Sequence, residues 1–158
     1  AEGRNFYVLQ ETSVINSYPN LKSSLNTIKY AYYIFEIVDA LLPENEVHSD
    51  VYSLLLQILQ ILETHPRKIF IRAFEVKLMS YLGYLAVDPE ELMSGNVSGS
   101  EFLSEASVIG LTLLQQNGWQ EIEELDISEK DAKRIEQFMR FRIERESQKT
   151  IKSLDYFD

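Results

Sequence analysis

RKIFIRAFEVKLMSYLGY, Arg67 to Tyr84, is the stretch whose reading decides the fold. Phe70, Phe74, Leu78, Tyr81 and Leu82 recur at helical spacing, and Phe, Ile, Val and Met fill much of the remaining circumference. Pro66 stands where a helix tolerates proline and Gly83 where a helix ends. A helix that is apolar nearly all round has to be enclosed by other elements. The stretch therefore predicts a core helix. Lys68, Arg72 and Glu75 run along one side of it, and this basic edge is the part that core packing does not require.

Working outward, the flanking segments are helical as well. Before it, Leu21, Leu25, Ile28, Tyr32, Phe35 and Val38 repeat at intervals of three and four, which predicts a first helix with that apolar face, ended by Pro43. Ser49 reads as the N-cap of a second helix carrying Val51, Leu54, Leu55, Ile58, Ile61 and Leu62 on one broad face. After it, Asp88-Pro89-Glu90-Glu91 combines an N-cap, a first-turn proline and early acids, the signature of a short helix. Met93 to Gly99 is a Gly, Ser and Asn loop. Ser104 to Gln116 is another helix, closed by Asn117-Gly118. Ser128-Glu129-Lys130-Asp131 reads as a capping box for a last helix running to about Gln148. Residues 4 to 15, with Phe6, Val8, Val14 and Ile15, are the only strand-like region. The expected fold is mainly α: a bundle of five or six helices preceded by one short β-strand.

Bulk properties set limits. The chain has 158 residues, of which 45% are hydrophobic, enough for one domain with a real core. The net charge of −10 opposes nucleic-acid binding by the surface as a whole. The charge is uneven, however. Residues 128 to 152 hold eight basic and five acidic residues, whereas residues 1 to 127 hold seven basic and 18 acidic ones. Lys133, Arg134, Arg140, Arg142, Arg145, Lys149 and Lys152 are thus candidates for contact with a phosphate backbone. The same helix can also neutralise itself through the pairs Arg140 with Glu144 and Arg142 with Glu146.

Several chemistries are absent from the sequence. With no cysteine there is neither a disulfide framework nor a thiolate metal site, which fits a reducing compartment. No run of about 18 apolar residues is available to span a membrane. The opening residues lack the basic start and apolar stretch of a signal peptide. No phosphate-binding or zinc-protease motif occurs. His48 and His65 stand alone in interhelix segments and read as turn or cap residues. Glu121, Glu123, Glu124 and Asp126 lack the alternation and central glycine of a calcium loop and read as solvated surface. Trp119 reads as a packing anchor. Nothing assembles a nucleophile, a base and an oxyanion site, so an enzyme is not expected.

Four motifs in order resemble the C-terminal part of the recombination mediator family RecO. They are Ala31-Tyr32-Tyr33-Ile34-Phe35-Glu36, then Leu41-Leu42-Pro43-Glu44 ahead of a leucine-rich helix. Arg72-Ala73-Phe74-Glu75 running through Leu82-Gly83-Tyr84 follows, and Ile151-Lys152-Ser153-Leu154-Asp155-Tyr156-Phe157 ends the series. The resemblance implies an all-helical domain over residues 19 to 158, with residues 1 to 18 as the last strand or the exit of an OB-fold. It implies a bacterial cytoplasmic, nucleoid-associated DNA-repair protein. Its partners would be single- and double-stranded DNA, RecR and the acidic, apolar C-terminal tail of single-stranded DNA-binding protein, and its roles RecA loading and strand annealing. The DNA contacts would come mostly from the OB-fold.

For the tail, Arg72 matches the family's arginine and Lys68 lies one turn earlier. Leu55, Leu59 and Leu62 of the preceding helix are expected to wall its pocket. One departure is plain. Many members carry a four-cysteine zinc site after the Gly-Tyr, and here Leu85 to Ser100 has no cysteine, so no cofactor is expected. The alternative is an α-helical interaction scaffold with no DNA role.

Overall fold

The computed structural model describes residues 11–42 and 48–153. They form a helical bundle with no strand among the described residues. In chain order the helices are α1 (Leu25–Leu41), α2 (Ser49–Thr64), α3 (Lys68–Tyr81), α4 (Pro89–Met93), α5 (Glu105–Gln116), α6 (Trp119–Glu123) and α7 (Glu129–Ser147), with a 3-10 turn at Ser100–Phe102. The strand expected over residues 4 to 15 falls largely outside the described residues. Its described end, residues 11–15, is irregular, with Val14 and Ile15 in solvent. Pro43 also lies outside them.

Helix α3 is the hub, packing on α2, α5, α6 and α7, while α1 packs on α2 and α7. Phe70, Ile71, Ala73, Phe74, Val76, Leu78 and Met79 are all buried, so this helix is enclosed nearly all round. It ends in a Schellman turn. The Tyr84 N–H donates to the Met79 carbonyl (2.9 Å) and the Gly83 N–H to the Ser80 carbonyl (3.1 Å). Gly83 takes φ 73°, a left-handed conformation that glycine adopts without strain.

The first helix departs from expectation. It starts at Leu25, with Ser24 as its cap, and it buries Tyr33, Ile34, Ile37 and Leu41. The predicted face carried Leu25, Tyr32 and Phe35, which are exposed. Both faces of this helix are apolar, so periodicity alone could not choose between them. The Tyr33 hydroxyl, bonded to Glu75 in the core, marks the face that is buried.

Smaller differences are instructive. Ser49 is the first helical residue of α2, and His48 stands at its N-cap. Ser128 caps α7 by accepting from the Asp131 N–H (3.1 Å). The reciprocal capping box is instead at α5, where the Ser104 hydroxyl accepts from Ser107 N–H and the Ser107 hydroxyl accepts from Ser104 N–H. Helix α6 is an addition to the expected elements. Trp119 anchors it as expected, lying edge-on to Phe70 and donating its ring N–H to the side-chain amide oxygen Oε1 of Gln57 at 2.8 Å.

Two carboxylates fasten the ends. Glu63 accepts from the backbone N–H of Asn20 (2.8 Å) and Leu21 (2.9 Å), which ties the approach to α1 onto α2. Glu36 accepts from the backbone N–H of Lys152 (2.9 Å) and Ser153 (2.8 Å) and from the Ser153 hydroxyl, strapping the segment after α7 onto α1. These hydrogen bonds hold the Glu36 carboxyl below its ordinary range although burial pushes the other way.

Gly99 turns the chain into the 3-10 segment at φ 91°, and a Cβ there would lie 2.6 Å from Cδ1 of Phe141. Gly83 has the same backbone demand with open space around it. Urea denaturation should show Gly83→Ala costing about 1 kcal/mol from backbone strain, and Gly99→Ala costing about 1–3 kcal/mol more because Phe141 must move. Equal costs would contradict the packing described.

Candidate functional site

The site grows from one buried polar cluster. Tyr33 of α1 and Glu75 of α3 are fully buried and Arg72 is 5% exposed. The Tyr33 hydroxyl donates to Oε1 of Glu75 through a short hydrogen bond. Nη1 of Arg72 lies 3.0 Å from Oε2 of Glu75, one helical turn away. The contact is an ion pair without hydrogen-bond alignment, because Nε and Nη1 of Arg72 and Oε2 of Glu75 have no hydrogen-bond partner among the described residues. The guanidinium also sits over the Tyr33 ring, 5.9 Å from its centroid.

Burial dominates the protonation of this cluster. It pushes the Glu75 carboxyl up to about 7, with Arg72 and the Tyr33 hydroxyl opposing and Glu136 adding to it. Burial and the Glu75 charge hold the Tyr33 phenol well above its ordinary value, so it remains the donor.

Arg72 is also part of a surface cleft of about 380 Å³ between α3 and α7. Its apolar walls are Ile69, Leu114, Leu125, Ile127, Ala132 and Ile135, and Arg67, Lys68 and Lys133 bring cations to it. Asp126, Glu129 and Glu136 line the α7 side. Arg67 donates to the Glu123 carbonyl at 2.9 Å, and Lys133 pairs with Glu129 at 2.9 Å. Arg72 thus reaches the cleft from below, with N–H groups that the described residues leave unmatched. An anion with an apolar neighbour is the ligand chemistry that such a floor and such walls suit.

The structure joins Lys68 and Arg72 in one cleft, as their spacing along the helix suggested. It does not make them an exposed edge, since Arg72 is buried. Leu55, Leu59 and Leu62 do not wall this cleft. Leu59 and Leu62 are core residues, Leu55 packs partly against that core, and α2 meets a different side of α3. The walls come from α5, α7 and the 125–127 segment, which lie far along the chain and could not be inferred from adjacency to α3.

The basic residues of α7 divide. Lys133, Arg140 and Arg145 are exposed, and Arg134 is half-buried. The anticipated pairs Arg140–Glu144 (3.7 Å) and Arg142–Glu146 (3.1 Å) are formed. Arg142 is a structural clip rather than a free surface cation. Its side chain is 12% exposed and donates to the Tyr84 carbonyl at 2.6 Å, locking α7 to the turn after α3. Lys149 and Lys152 are exposed on the strap. His65 holds the C-cap position of α2, and with His48 at the N-cap both histidines are boundary residues, as read from the sequence.

Residues 22–87 match the family described as Recombination protein O C terminal. The DNA repair protein RecO of Pelotomaculum thermopropionicum is 36% identical over 85 residues, 54% of this chain and 33% of that relative. That of Symbiobacterium thermophilum is 38% identical over 84 residues, 52% of this chain and 33% of the relative. That of Clostridium kluyveri is 29% identical over 105 residues, covering 65% and 41%. No solved structure gives a significant match. Over residues 22–87, less than half of its length, the chain is thus similar to the C-terminal part of RecO proteins. The matches span a third to two fifths of these relatives' length. The matched region contains α1 to α3, including Tyr33, Lys68, Arg72 and Glu75, whereas α5 and α7, which complete the cleft, lie beyond residue 87.

Because the folded Glu75 pKa is raised above its unfolded value, the folded state binds more protons between about pH 4.5 and 7. Stability attributable to this group therefore falls as pH rises through that window and is constant above it, a change on the order of 3 kcal/mol. Urea denaturation across the window should show this decline, and Glu75→Gln should remove it. Identical profiles for the two proteins would contradict the assignment.

Proposed function

We propose that this chain is a non-catalytic binding module of a recombination mediator in DNA repair, and that the Arg72 cleft takes the acidic, apolar C-terminal tail of single-stranded DNA-binding protein. The observation that carries the reading is the buried guanidinium of Arg72, whose Nε has no hydrogen-bond partner among the described residues, beneath apolar walls and beside Arg67, Lys68 and Lys133. A chain-terminal carboxylate would satisfy that donor, at about 1–3 kcal/mol per buried group. A terminal aromatic ring would bury against Ile69, Leu125 and Ile127. Asp126, Glu129 and Glu136 repel acids, so the acidic run of the tail would follow the Arg67 and Lys68 rim. The relatives, each named as a DNA repair protein, supply the biological setting.

The wider partnership follows from the same reading. RecR and single- and double-stranded DNA are its further partners, and RecA loading and strand annealing its roles. Most DNA contact would come from an OB-fold, as in the family it resembles. A second reading, an α-helical scaffold with no DNA role, is favoured by one observation: Arg72 already has an internal ion partner in Glu75.

Peptide binding separates the two. A labelled peptide with several acids and a terminal Phe should bind, and Lys133→Glu, on an exposed side chain, should weaken it by roughly tenfold. Arg72→Lys should weaken it further while keeping the charge beside Glu75. Binding that neither variant changes would remove the cleft assignment.

For DNA, reversal of exposed Arg140 and Arg145 should flatten the dependence of log K on log salt, by about 0.9 for each phosphate no longer neutralised. Arg142→Gln should lower stability while leaving that slope alone. A slope that responds only to Arg142 would contradict this division of the basic residues.

A further inference from the structure

A ligand carboxylate in the cleft would be the second one that Arg72 serves. The first is internal: Oε2 of Glu75 lies 3.0 Å from Nη1 of Arg72 inside the core. The second would accept from the Nε–H, which has no partner among the described residues. Two carboxylates on one guanidinium stand roughly 6 Å apart, a separation at which like charges push the more buried one towards its protonated form. Glu75 is that one. It is fully buried, whereas the ligand would reach solvent and the Arg67, Lys68 and Lys133 cations through the mouth of the cleft. The guanidinium itself keeps its charge throughout.

The cluster can accept a proton without coming apart. While Glu75 is ionised, the Tyr33 hydroxyl donates to its Oε1. A neutral carboxyl keeps that bond, either through its carbonyl oxygen or with the phenol as acceptor, so the tie between α1 and α3 survives. The charged and titratable groups that act on Glu75 are Arg72 of its own helix, Tyr33 of α1 and Glu136 of α7; α2, α5 and α6 add none among the described residues. Tyr30 of α1 also lies within the influence of Arg72. Glu136 lines the cleft and, as a further negative charge, favours proton uptake too. Burial already holds the Glu75 carboxyl at about 7, so one more anion beside it changes its charge near neutral pH.

We propose that Glu75 is the proton acceptor of the Arg72 cleft: a carboxylate ligand docks on Arg72 together with a proton, and Glu75 takes the proton up. The inference rests on the cleft reading above and extends it to regulation, because it makes the affinity for an acidic ligand depend on pH. The charges balance in both states. The empty site holds Arg72 and ionised Glu75 as a neutral pair. The filled site holds Arg72 and the ligand carboxylate as a neutral pair beside a neutral Glu75.

Titration calorimetry of the full chain with a peptide of several acids and a terminal Phe, at pH 8 in two buffers of different ionisation enthalpy, counts the protons. About one proton should be taken up per peptide, and affinity should fall roughly tenfold between pH 7 and 8.5 while changing less than about twofold between pH 5.5 and 6.5. Glu75→Gln, which mimics the neutral carboxyl, should bind roughly tenfold more tightly than the unmodified chain at pH 8.5 and take up no proton. If that variant does not fold, the proton count and pH profile of the unmodified chain and of His65→Gln decide. His65 is a second titratable group tied to the rim, 3.9 Å from Glu123, whose carbonyl holds Arg67, and His65→Gln should keep the uptake. Binding that depends on Arg72 but takes up no proton would overturn the proposal and leave the cleft assignment standing. Uptake that survives in Glu75→Gln, or vanishes in His65→Gln, would overturn it as well. A peptide that does not bind, or whose binding is unchanged in Arg72→Lys, would remove the cleft reading and the proposal with it.

Discussion

Arg72 cannot leave the core without stranding the Glu75 carboxylate, and Glu75 cannot carry its charge there without Arg72. The pair is enclosed by the central helix and its neighbours, and the Tyr33 hydroxyl completes it from α1. Removing one member of a buried ion pair costs about 3–5 kcal/mol, because the other remains desolvated and unmatched. The cluster therefore fixes the register of α1 against α3. It also fixes the guanidinium at the base of the cleft, with Nη1 against Glu75.

The rest of the bundle serves that geometry. Helix α3 is surrounded on nearly every side, so its position is determined by the core rather than by its caps. Arg142 locks α7 to the turn that ends α3, and α7 then supplies Lys133, Ile135 and Glu136 to the opposite side of the cleft. Lys77 reinforces the same corner. It donates to the carbonyls of Gln115 and Asn117, both at 2.8 Å, at the C-terminal end of α5, and lies over the Trp119 ring. Burial pulls its ammonium below the ordinary value, yet those carbonyls hold it in place.

Much of this was legible in the sequence because it is local. The central helix, its Gly83 stop, the Asp88-Pro89 start and the ion pairs of α7 each follow from residues within a few positions of one another. The readings that failed depended on distant partners. Helix α1 has two apolar faces, and only the packing of Tyr33 against Glu75 selects the buried one. The walls of the cleft come from Leu114, Leu125, Ile127 and Ile135, whereas sequence adjacency pointed to Leu55, Leu59 and Leu62. Arg72 looked like an exposed cation because its helical neighbours Lys68 and Glu75 are charged. Its burial depends on Tyr33, 39 positions earlier.

The central claim is that the unmatched donors of Arg72 receive a ligand carboxylate. The Nε–H resonance of Arg72, shielded from solvent by burial, reports on that contact directly in a nitrogen-15 NMR titration. Addition of a peptide with acids ahead of a terminal Phe should shift this resonance downfield along a saturable curve, and the same peptide with an amidated C-terminus should move it much less. A resonance that stays fixed while the peptide binds elsewhere would contradict the account.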